Sequence, residues 1–404
     1  MRAKRGLIIT NLFPNSVEPS RGTFVQQEVA SLSKLYDLKV IAPVPWVPPL
    51  LKYRPRYAYH AVPEMEYLDG IEVHHPRHVV VPGCLQSSYG PLLYRSLLRT
   101  VTRLRENFDP EFIIAYYAYP DGWAAERLAS KLGVPVIVKA LGSDINLFTR
   151  NPRRREMTVT SLNRADRVVA VSRALATRMA ELGVNTAHSS VMENGVDTQR
   201  FYPMERLVER RQLGLEEDPF TFLFVGTLRE IKGVRTLLEA FSQQPQQWRE
   251  RVRLQMVGSG ELRGELEQTI QRYQLGDTVR LVGSLPHDEI PRWMGACDCL
   301  ILPSLMEGSP NVLAEARACR RPVIASRVGG IPDIVVEGRT GLLIEPGDAH
   351  SLGQALQAMS NGFGFDDPRE SIQSWQDVAR ETEALIESMC DERGMAAFAE
   401  SRTA

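Results

Sequence analysis

The 404-residue chain has few cysteines, no long apolar run and no large excess of either charge. Its five cysteines are odd in number, and their spacing fits neither a zinc site nor a disulfide framework, so we expect a reducing, cytoplasmic setting. No stretch reaches the roughly 18 apolar residues that indicate a membrane-spanning helix. The first apolar run is interrupted by Asn11 and Pro14, which predicts a buried strand rather than a signal peptide.

Several catalytic signatures are also missing. The sequence contains no P-loop, no GxSxG and no Asp-x-Asp pair of the kind that holds a divalent metal on a nucleotide diphosphate. His74, His75 and His78 are clustered without acidic partners at metal-ligand spacing, so we predict surface positions for them. Gly258 opens a GxGxxxG pattern, but Asp277 precedes the next predicted strand, which disfavours a dinucleotide site. We therefore expect no metal and no cofactor.

Length and charge predict two domains. The chain exceeds the roughly 250–300 residues at which single cores split. Its composition, 43% hydrophobic and 24% charged, is ordinary for a globular protein. Residues 1–200 carry 26 basic against 18 acidic side chains, whereas residues 201–404 carry 22 against 31. A basic first half suits an anionic acceptor or membrane surface, although solvated basic surfaces are equally common.

Strand-length apolar runs alternate with helical patterns throughout the chain. This predicts an α/β fold with two doubly wound, Rossmann-like domains and a cleft between them. We expect an N-terminal domain over residues 1–203 and a C-terminal domain over residues 204–373. The last helical run is expected to cover residues 374–390, and residues 391–404 are expected to form a tail that is frayed from Arg393 onward. The predicted strands of the second domain are Thr221–Val225, Arg253–Val257, Val279–Val282, Asp298–Leu302, Pro322–Ala325 and Gly341–Ile344.

Two glutamates flank the start of a predicted short helix. Glu307 and Glu315 lie eight positions apart, after an apolar strand pattern. Ser309 is a suitable N-cap and Pro310 suits the first helical position, so the amides that follow would be available to an anion. Glutamates at this spacing alone are more often solvated helix residues. The strand–loop–helix–strand context instead favours a sugar-nucleotide site, with a diphosphate between two hydroxyl-accepting carboxylates.

A loop earlier in the same predicted domain adds two cations. The strand pattern of FLFVGTLREIKG ends at Gly226, and Arg229 and Lys232 follow it at the expected carboxyl edge of the sheet. Loop cations are often simply solvated. Placed near the glutamate segment, however, they would neutralise a diphosphate leaving group, each charge-assisted contact contributing about 1.5–3 kcal/mol.

Further motifs follow one another in a specific order. They are Gly22 in PSRGTFVQQEVASL, Gly142-Ser143-Asp144, Ala165-Asp166, Asn194-Gly195-Val196-Asp197, VGTLREIKG, VGSGEL, VGSLP, PSLMEG and Ser374-Trp375. Together they span nearly the whole chain, which resembles the family-four retaining glycosyltransferases (glycosyl transferases group 1) with the GT-B fold.

The resemblance implies that the final helix, residues 374–390, crosses back to pack on the N-terminal domain. It also implies site roles. Glu307 would contact donor-sugar hydroxyls, Glu315 would contact the ribose, and Lys232 and Arg229 would bind the diphosphate. The other implied donor-site residues are Gly22, Gly226, Thr227, Gly258, Val282, Gly283, Ser284, Leu285, Gly308, Ser309, Pro310, Asn311, Val312 and Leu313. The implied acceptor-side residues are Thr23, Gly142, Ser143, Asp144 and Asn194.

The resemblance also implies an activity: metal-independent transfer of a sugar, with retention, from a nucleotide diphosphate to a glycan or lipid-linked acceptor. The expected process is cell-surface polysaccharide or glycolipid synthesis, and no nucleic-acid partner is expected. Two departures from the family pattern are Thr227, where arginine is frequent, and Leu141, where histidine is frequent. Two alternatives stay open, a sugar-nucleotide epimerase or hydrolase and a non-catalytic nucleotide-sugar binding subunit.

An anionic membrane surface, at the inner face, is a further expected partner. An early loop mixes aromatic, apolar and basic residues: Trp46, Leu50, Leu51, Lys52, Tyr53, Arg54, Arg56 and Tyr57. A later segment combines Leu97, Leu98, Val101 and Leu104 with Arg95, Arg99, Arg103 and Arg105. The latter pattern predicts a basic amphipathic helix, which would lie either on a membrane or against the protein's own core.

Overall fold

A computed structural model of the chain describes residues 3–48, 55–80, 86–366 and 372–403. The chain divides into two compact units, Met1–Asn194 with Trp375–Ala404, and Gly195–Ser374. The division precedes the expected boundary after residue 203, because the intervening segment packs in the second unit. The Val196 amide donates to the carbonyl of Gln373 at 3.0 Å, and Phe201 is buried in the second unit's core.

The first unit contains a mostly parallel sheet. Its strands, with a separate pair formed by β3 and β6, are β1 Arg5–Thr10, β2 Asp37–Ile41, β3 Val44–Pro45, β4 Met65–Leu68, β5 Ile71–His74, β6 Arg77–His78, β7 Phe112–Tyr116, β8 Val136–Ala140, β9 Arg167–Ala170 and β10 Ser189–Val191. Within the described residues the main sheet has the order β10-β9-β8-β7-β1-β2-β5-β4, and β4 pairs antiparallel with β5.

Helices connect these strands. They are α1 Thr23–Leu32, α2 Tyr89–Leu104, α3 Trp123–Leu132, α4 Ser143–Asn146, α5 Pro152–Arg164 and α6 Arg173–Glu181, with short 3₁₀ turns at Pro55–Ala61, Gln86–Ser88, Phe148–Arg150 and Thr186–His188 and a π turn at Ala118–Gly122. The membrane-facing interpretation of α2 is wrong: Leu97, Val101 and Leu104 are buried in the unit's own core, and Leu98 packs against it. The apolar face of α2 is therefore covered by the core of its own unit, and its basic side chains are exposed on the other faces of the helix.

Other parts of the membrane prediction fall partly outside the described residues. Trp46 is exposed. Outside the description lie Leu50, Leu51, Lys52, Tyr53 and Arg54, the side chains of Arg56 and Tyr57, and Cys84. No helix in the described part of the chain is long and apolar enough to cross a membrane.

The surface prediction for the histidine cluster is wrong for two of its members. His75 is buried, with its ring nitrogens 2.9 Å from the carbonyl oxygen of Ala42 and 2.7 Å from Glu66. His78 is also buried, and burial lowers its pKa to about 4. For His75 the reason is the β4–β5 hairpin, which the strand prediction missed, whereas His78 lies in β6, which pairs with β3 and contacts α2.

The chain ends in a long helix, α15 Trp375–Thr403, that belongs to the first unit. The prediction of a frayed tail from residue 391 is wrong, because the helix continues without interruption. Ion pairs hold the turn that follows residue 390: Arg393 donates twice to Asp166 at 2.9 Å, and Arg167 pairs with Glu392. Further back, the Trp375 indole donates to the Gln27 side chain.

The second unit is a Rossmann-like α/β layer. Its strands are β11 Phe220–Val225, β12 Val252–Val257, β13 Val279–Gly283, β14 Cys299–Leu302, β15 Val323–Ser326 and β16 Gly341–Ile344. Its helices are α7 Arg206–Gln212, α8 Val234–Ser242, α9 Gln246–Arg249, α10 Arg263–Arg272, α11 Ile290–Ala296, α12 Asn311–Ala318, α13 Ile331–Ile334 and α14 Ala349–Ser360, with a 3₁₀ turn at Glu230–Lys232. All described strands are parallel, in the order β13-β12-β11-β14-β15-β16.

This architecture confirms the predicted α/β fold with two Rossmann-like units. All six strands predicted for the second unit are present, with bounds within about one residue. They were readable because strands buried on both faces form continuous apolar runs. In β11, for example, Phe222 is fully buried and contacts the rings of Phe241 and Trp248.

Candidate active site

The candidate site of the second unit lies where its strand order reverses. β11 is the first strand in the chain, but β12 and β13 extend the sheet on one side and β14, β15 and β16 on the other. Loops that leave neighbouring strands at such a switch point diverge and expose a crevice at the carboxyl edge. The loop after β11 contains Arg229 and Lys232, and the loop after β14 contains Glu307.

Lys232 and Glu307, predicted separately, form an ion pair. The Lys232 ammonium lies 2.6 Å from Glu307 Oε1, and the buried Ser304 hydroxyl donates to the same oxygen at 2.6 Å. Glu307 Oε2 receives no hydrogen bond from any described residue. An ammonium has three N–H donors, so Lys232 keeps donors for a second anion while Glu307 keeps an acceptor for a hydroxyl.

Glycine lets the two loops approach each other. Gly233 has φ 66°, and a β-carbon there would lie 1.8 Å from the carbonyl oxygen of Pro303. The Leu305 amide donates to the carbonyl of Ile231 at 2.8 Å. A side chain at Gly233 would separate these backbones, so the glycine fixes the position from which Lys232 reaches Glu307.

Helix α12 begins one residue later than predicted. Pro310 is the N-cap, with extended φ −77° and ψ 114°, and Asn311 is the first helical residue. The prediction of Ser309 as N-cap is therefore wrong: proline supplies the turn into the helix, without a side-chain cap. The Leu313 amide donates back to the carbonyl of Pro310 at 3.1 Å. The positive end of the helix still faces the loop that holds Glu307, with Val312 in its first turn.

The loop after β15 contacts the backbone of the segment that precedes α12. Gly330 donates its amide to the carbonyl of Gly308 at 2.7 Å. Gly329 has φ 54°, and a β-carbon there would lie 2.1 Å from the carbonyl oxygen of Glu307. The Gly329-Gly330 pair after β15 thus holds the acidic loop in place by backbone contact.

Glu315 has a partner that sequence reasoning missed. His287 Nε2 lies 3.0 Å from Glu315 Oε1, and the His287 ring packs on Phe201 with centroids 5.5 Å apart. The hydrogen bond that His287 donates to the Glu315 carboxylate raises the pKa of His287, against the opposing effect of burial. Glu315 Oε2 receives no hydrogen bond within the described chain. Nothing in the sequence links the two residues, because 28 positions separate them and only the fold makes them neighbours.

Three further loops border the same edge. The Gly258 amide donates to the carbonyl of Gly283 at 2.8 Å, and a β-carbon on Gly258 would lie 1.9 Å from the carbonyl oxygen of Gly226. Ser284 donates its hydroxyl to Ser259 at 2.7 Å. Two of the implied donor-site residues, Val282 and Leu285, are half-buried and pack against the core. The predicted donor residues Gly226, Gly258 and Gly283 therefore lie close together, because β11, β12 and β13 end at the same edge of the sheet.

Two predicted residues of the loop after β11 remain exposed. Thr227 and Arg229 are both on the surface, and the Arg229 side chain has no ion pair or hydrogen bond within the described residues. Of the two predicted diphosphate cations, Lys232 is thus held in place by its surroundings and Arg229 is not.

In the first unit, the predicted residues lie at the carboxyl edge of its own sheet. Gly22 has φ 61° and precedes α1, which begins at Thr23; a β-carbon on Gly22 would lie 2.3 Å from the carbonyl oxygen of Leu12. Ser143 contacts the Tyr117 hydroxyl. Asn194 is the last residue of the first segment of this unit and makes polar contacts there.

Asp144 holds the loops of this edge together. The side chain is fully buried and accepts backbone N–H groups from Ala118 at 2.7 Å, Gly142 at 2.8 Å and Ile145 at 3.1 Å. Leu141 donates to both carboxylate oxygens at 3.2 and 3.3 Å. Burial raises the pKa of Asp144, while these N–H donors act in the opposite direction. Both oxygens are occupied, so Asp144 positions the loop that carries Gly142 and Ser143.

A second buried carboxyl, Asp121, was not predicted. It follows β7 and accepts the Asn11 amide at 2.6 Å through Oδ2, while Oδ1 has no hydrogen-bond partner among the described residues. Burial raises the pKa of Asp121 well above its usual range, and the charge of Arg21 opposes that shift. The Tyr-Pro-Asp-Gly sequence that contains Asp121 offered a signal, since an acidic residue directly after a buried strand lies at the carboxyl edge.

Comparisons with known proteins agree with this architecture. Residues 205–370 match the family described as Glycosyl transferases group 1, and residues 22–200 match Glycosyltransferase Family 4. TuaC of Bacillus subtilis, a protein assigned as a teichuronic acid biosynthesis glycosyltransferase, is 30% identical over 390 residues, which cover 94% of this chain and 96% of TuaC. A D-inositol 3-phosphate glycosyltransferase of Pseudarthrobacter chlorophenolicus is 28% identical over 300 residues, covering 70% and 69% of the two chains.

Solved structures share the fold. Sucrose-phosphate synthase from Thermosynechococcus elongatus superposes with a TM-score of 0.72 at 22% identity, over 100% of both chains. HepE from Anabaena, solved in complex with UDP-glucose, superposes with a TM-score of 0.66 at 19% identity, over 98% of this chain and 99% of HepE. The paired family matches and the full-length similarity to TuaC show that this chain belongs to the group 1, family-four glycosyltransferases with the GT-B fold.

Proposed function

We propose that this glycosyltransferase takes its sugar from a nucleotide diphosphate and transfers it with retention of anomeric configuration, without a metal ion. The observation that carries the proposal is that three charged groups in the second unit keep hydrogen-bonding capacity beyond their contacts within the described chain. Lys232 keeps ammonium donors beyond its bond to Glu307, and Glu307 and Glu315 each keep one oxygen without a partner in the described chain. A cation between two hydroxyl acceptors suits a diphosphate that joins a sugar to a ribose.

In the proposed reaction, the bond between the anomeric carbon and the diphosphate breaks and a bond to the acceptor oxygen forms on the same face. The acceptor proton passes to the departing phosphate oxygen. Lys232, together with Arg229 and the first-turn amides of α12, stabilises the charge that develops on that phosphate. Glu307 orients the sugar through its hydroxyls, and Glu315 orients the ribose.

The acceptor in this proposal is a glycan or a lipid-linked glycan, in cell-surface polysaccharide or glycolipid synthesis. The assignment of TuaC to teichuronic acid biosynthesis supports it. The UDP-glucose complex of HepE supports a nucleotide-sugar donor. A reducing, cytoplasmic location is consistent with the buried unpaired thiols of Cys297, Cys299 and Cys319. A location at the inner membrane face rests on the basic excess of residues 1–200.

A panel of UDP-, GDP- and ADP-sugars, screened by thermal shift, would identify the donor. A ligand at 100 times its Kd adds about 2.7 kcal/mol of stability. We expect one base to stabilise the protein, and Lys232→Ala to abolish that shift while Arg272→Ala, an exposed control in the same unit, preserves it. A protein with no stabilising nucleotide sugar, or a shift unchanged in Lys232→Ala, would contradict the donor site.

The identified donor then tests the reaction itself. Incubation with acceptor oligosaccharides in EDTA should give a product whose anomeric proton coupling matches the donor configuration. Inversion, or loss of activity in EDTA that added metal restores, would refute retention or metal independence. Rapid donor conversion without acceptor would instead indicate a hydrolase or epimerase, and binding without turnover a non-catalytic subunit.

A further inference from the structure

The first unit contains a basic cavity that the proposed reaction does not use. It has a volume of about 480 Å³ and lies between the segment that follows β5 and one face of α2. Its polar lining includes Glu64, His74, Arg77, Arg99 and Arg103. A volume of this size is within the range of small-molecule sites and accommodates a phosphorylated monosaccharide.

The cavity has a net positive lining. Both histidines of the lining already have carboxylate partners: His74 lies 2.6 Å from Glu72, which also pairs with Lys39, and His75 lies 2.7 Å from Glu66. Three guanidinium groups remain, with Glu64 as the acidic lining residue. An occupant that carries two negative charges would balance them.

Arg99 and Arg103 are presented together by the helix. They are four residues apart on α2, and therefore lie on the same face, and both are exposed. Neither has an acidic partner among the described residues, and like charges at this spacing destabilise an isolated helix. Repulsion between the two guanidinium groups therefore slightly destabilises the helix, and a bound anion would offset this repulsion.

Arg77 adds an unsatisfied donor. One of its terminal nitrogens donates to the carbonyl of Val62, while the other, Nη1, is buried and has no hydrogen-bond partner in the described structure. The Ser96 hydroxyl of α2 donates to the Arg77 carbonyl at 3.0 Å, which fixes the backbone beside the helix. A buried N–H without an acceptor is costly, so this residue has an unmet requirement for an oxygen ligand.

We propose that this cavity binds the phosphate group of a phosphorylated ligand through Arg77, Arg99 and Arg103. Guanidinium forks match the tetrahedral oxygens of phosphate and donate to two of them at once. A dianionic phosphate monoester equals the charge excess of the lining. The site is built from residues of the first unit alone and includes none of the donor residues Lys232, Glu307 and Glu315.

The probe is inorganic phosphate, titrated at constant pH and at ionic strength held constant with chloride. The readout is the ring ¹³C–¹H resonance of His74, which lines the cavity. We expect a saturable shift in the full-length protein, and an at least tenfold weaker apparent affinity in the double variant Arg99→Gln/Arg103→Gln. Arg95→Gln removes an exposed charge from the same helix outside the cavity, and should leave the affinity unchanged.

Lys232→Ala separates this proposal from the donor site, because it removes phosphate binding in the second unit and should leave the His74 titration intact. A linear, non-saturating shift, or equal affinity in the double variant and the unmodified protein, would overturn the proposal whatever the outcome of the donor assays. Co-sedimentation with phosphatidylcholine vesicles, with and without phosphatidic acid, then distinguishes the source. Binding that requires phosphatidic acid and both arginines assigns the phosphate to a lipid headgroup, and its absence assigns it to a soluble ligand.

Discussion

At the carboxyl edge of the second unit's sheet, Glu307 and Glu315 each have one oxygen engaged and one without a partner in the described chain. At the corresponding edge of the first unit, Asp144 is fully buried and both of its oxygens accept backbone N–H groups. Both sheets are Rossmann-like, so the difference does not come from topology. It comes from whether the loop backbones turn their N–H groups toward the carboxylate or away from it.

The comparison separates two uses of a carboxylate. One whose oxygens are saturated by backbone donors fixes the shape of its loops and has nothing left for a ligand. One that is held by side chains at a single oxygen keeps its orientation and an open second oxygen. Substitutions in the first unit should therefore change local stability, and those in the second unit should change donor use.

Lys232→Ala should show the largest effect on activity. It removes a charge-assisted contact to the leaving group and leaves the mostly buried Glu307 carboxylate without its ion partner. Loss of one donor to a developing anion costs about 10²–10³-fold in rate, so kcat/KM should fall by that factor. Steady-state kinetics with the identified donor provide the measurement.

Lys232→Arg and Arg229→Ala complete this test. Arginine keeps the charge and should recover part of the rate, while Arg229, which is exposed and unpaired within the described residues, should matter less than Lys232. If Arg229→Ala lost more activity than Lys232→Ala, the assignment of Lys232 as the principal cation would be wrong.

Gly233→Ala should have the next largest effect. Its β-carbon would lie 1.8 Å from the Pro303 oxygen in a left-handed conformation, so the loop that carries Lys232 must shift. Displacements near 1 Å in a site can cost about 10²-fold in rate, and we expect a loss of at least tenfold in kcat/KM. Gly214→Ala is the matched control: it has φ 65° but open space around its β-carbon, and therefore carries the strain without the collision. Equal losses in both variants would remove the close-approach argument.

The same contrast explains which features were predictable. The second unit's strands were found because they are short, mostly apolar runs that alternate with helical patterns. The β4–β5 hairpin was missed although Asp69-Gly70 forms its turn with φ 52° and 79°, a strong hairpin signal. That omission placed His75 on the surface, since Glu66 of β4 bonds its ring. His78 was also missed, because the pairing of its short strand β6 with β3 has no sequence signal.

Site residues were predictable where a single loop contains them. Contacts between residues of two different loops were not predictable. Lys232 and Glu307 were both proposed, but their direct contact depends on backbone approach at Gly233. His287 carries no recognisable motif, and its role appears only when β13 and α12 bring it to Glu315. Asp144 was identified as a motif residue, yet its burial depends on N–H donors from two separate loops.

Asp144→Asn should weaken the first unit locally. An amide offers one acceptor oxygen and turns an N–H₂ group toward backbone donors, and each unsatisfied buried donor costs about 1–3 kcal/mol. Amide exchange of Ala118, Gly142 and Ile145 should accelerate about tenfold or more, measured by hydrogen–deuterium exchange. Donor-induced stabilisation should remain. Asp109→Asn, an exposed residue paired with Arg105, is the control. If Asp144→Asn showed normal amide exchange and impaired donor binding, Asp144 would contribute to donor binding and not to the local stability of the first unit.

His287→Gln should have the smallest effect, confined to pH dependence. Because Glu315 raises the pKa of His287 above its ordinary value of 6.5, the charged pair stabilises the folded state fully below pH 6.5, and this contribution is lost as pH rises through the higher folded value. The exchange of a charge-assisted for a neutral hydrogen bond changes the free energy by about 1 kcal/mol, so the donor KM should rise about fivefold across that interval. In His287→Gln the KM should be nearly independent of pH there, with kcat little changed, whereas His350→Gln, an exposed histidine of the same unit, should retain the normal profile. A His287→Gln enzyme with an unaltered pH profile would show that Glu315 does not depend on its partner's charge, and that the open oxygens of the second unit are set by packing alone.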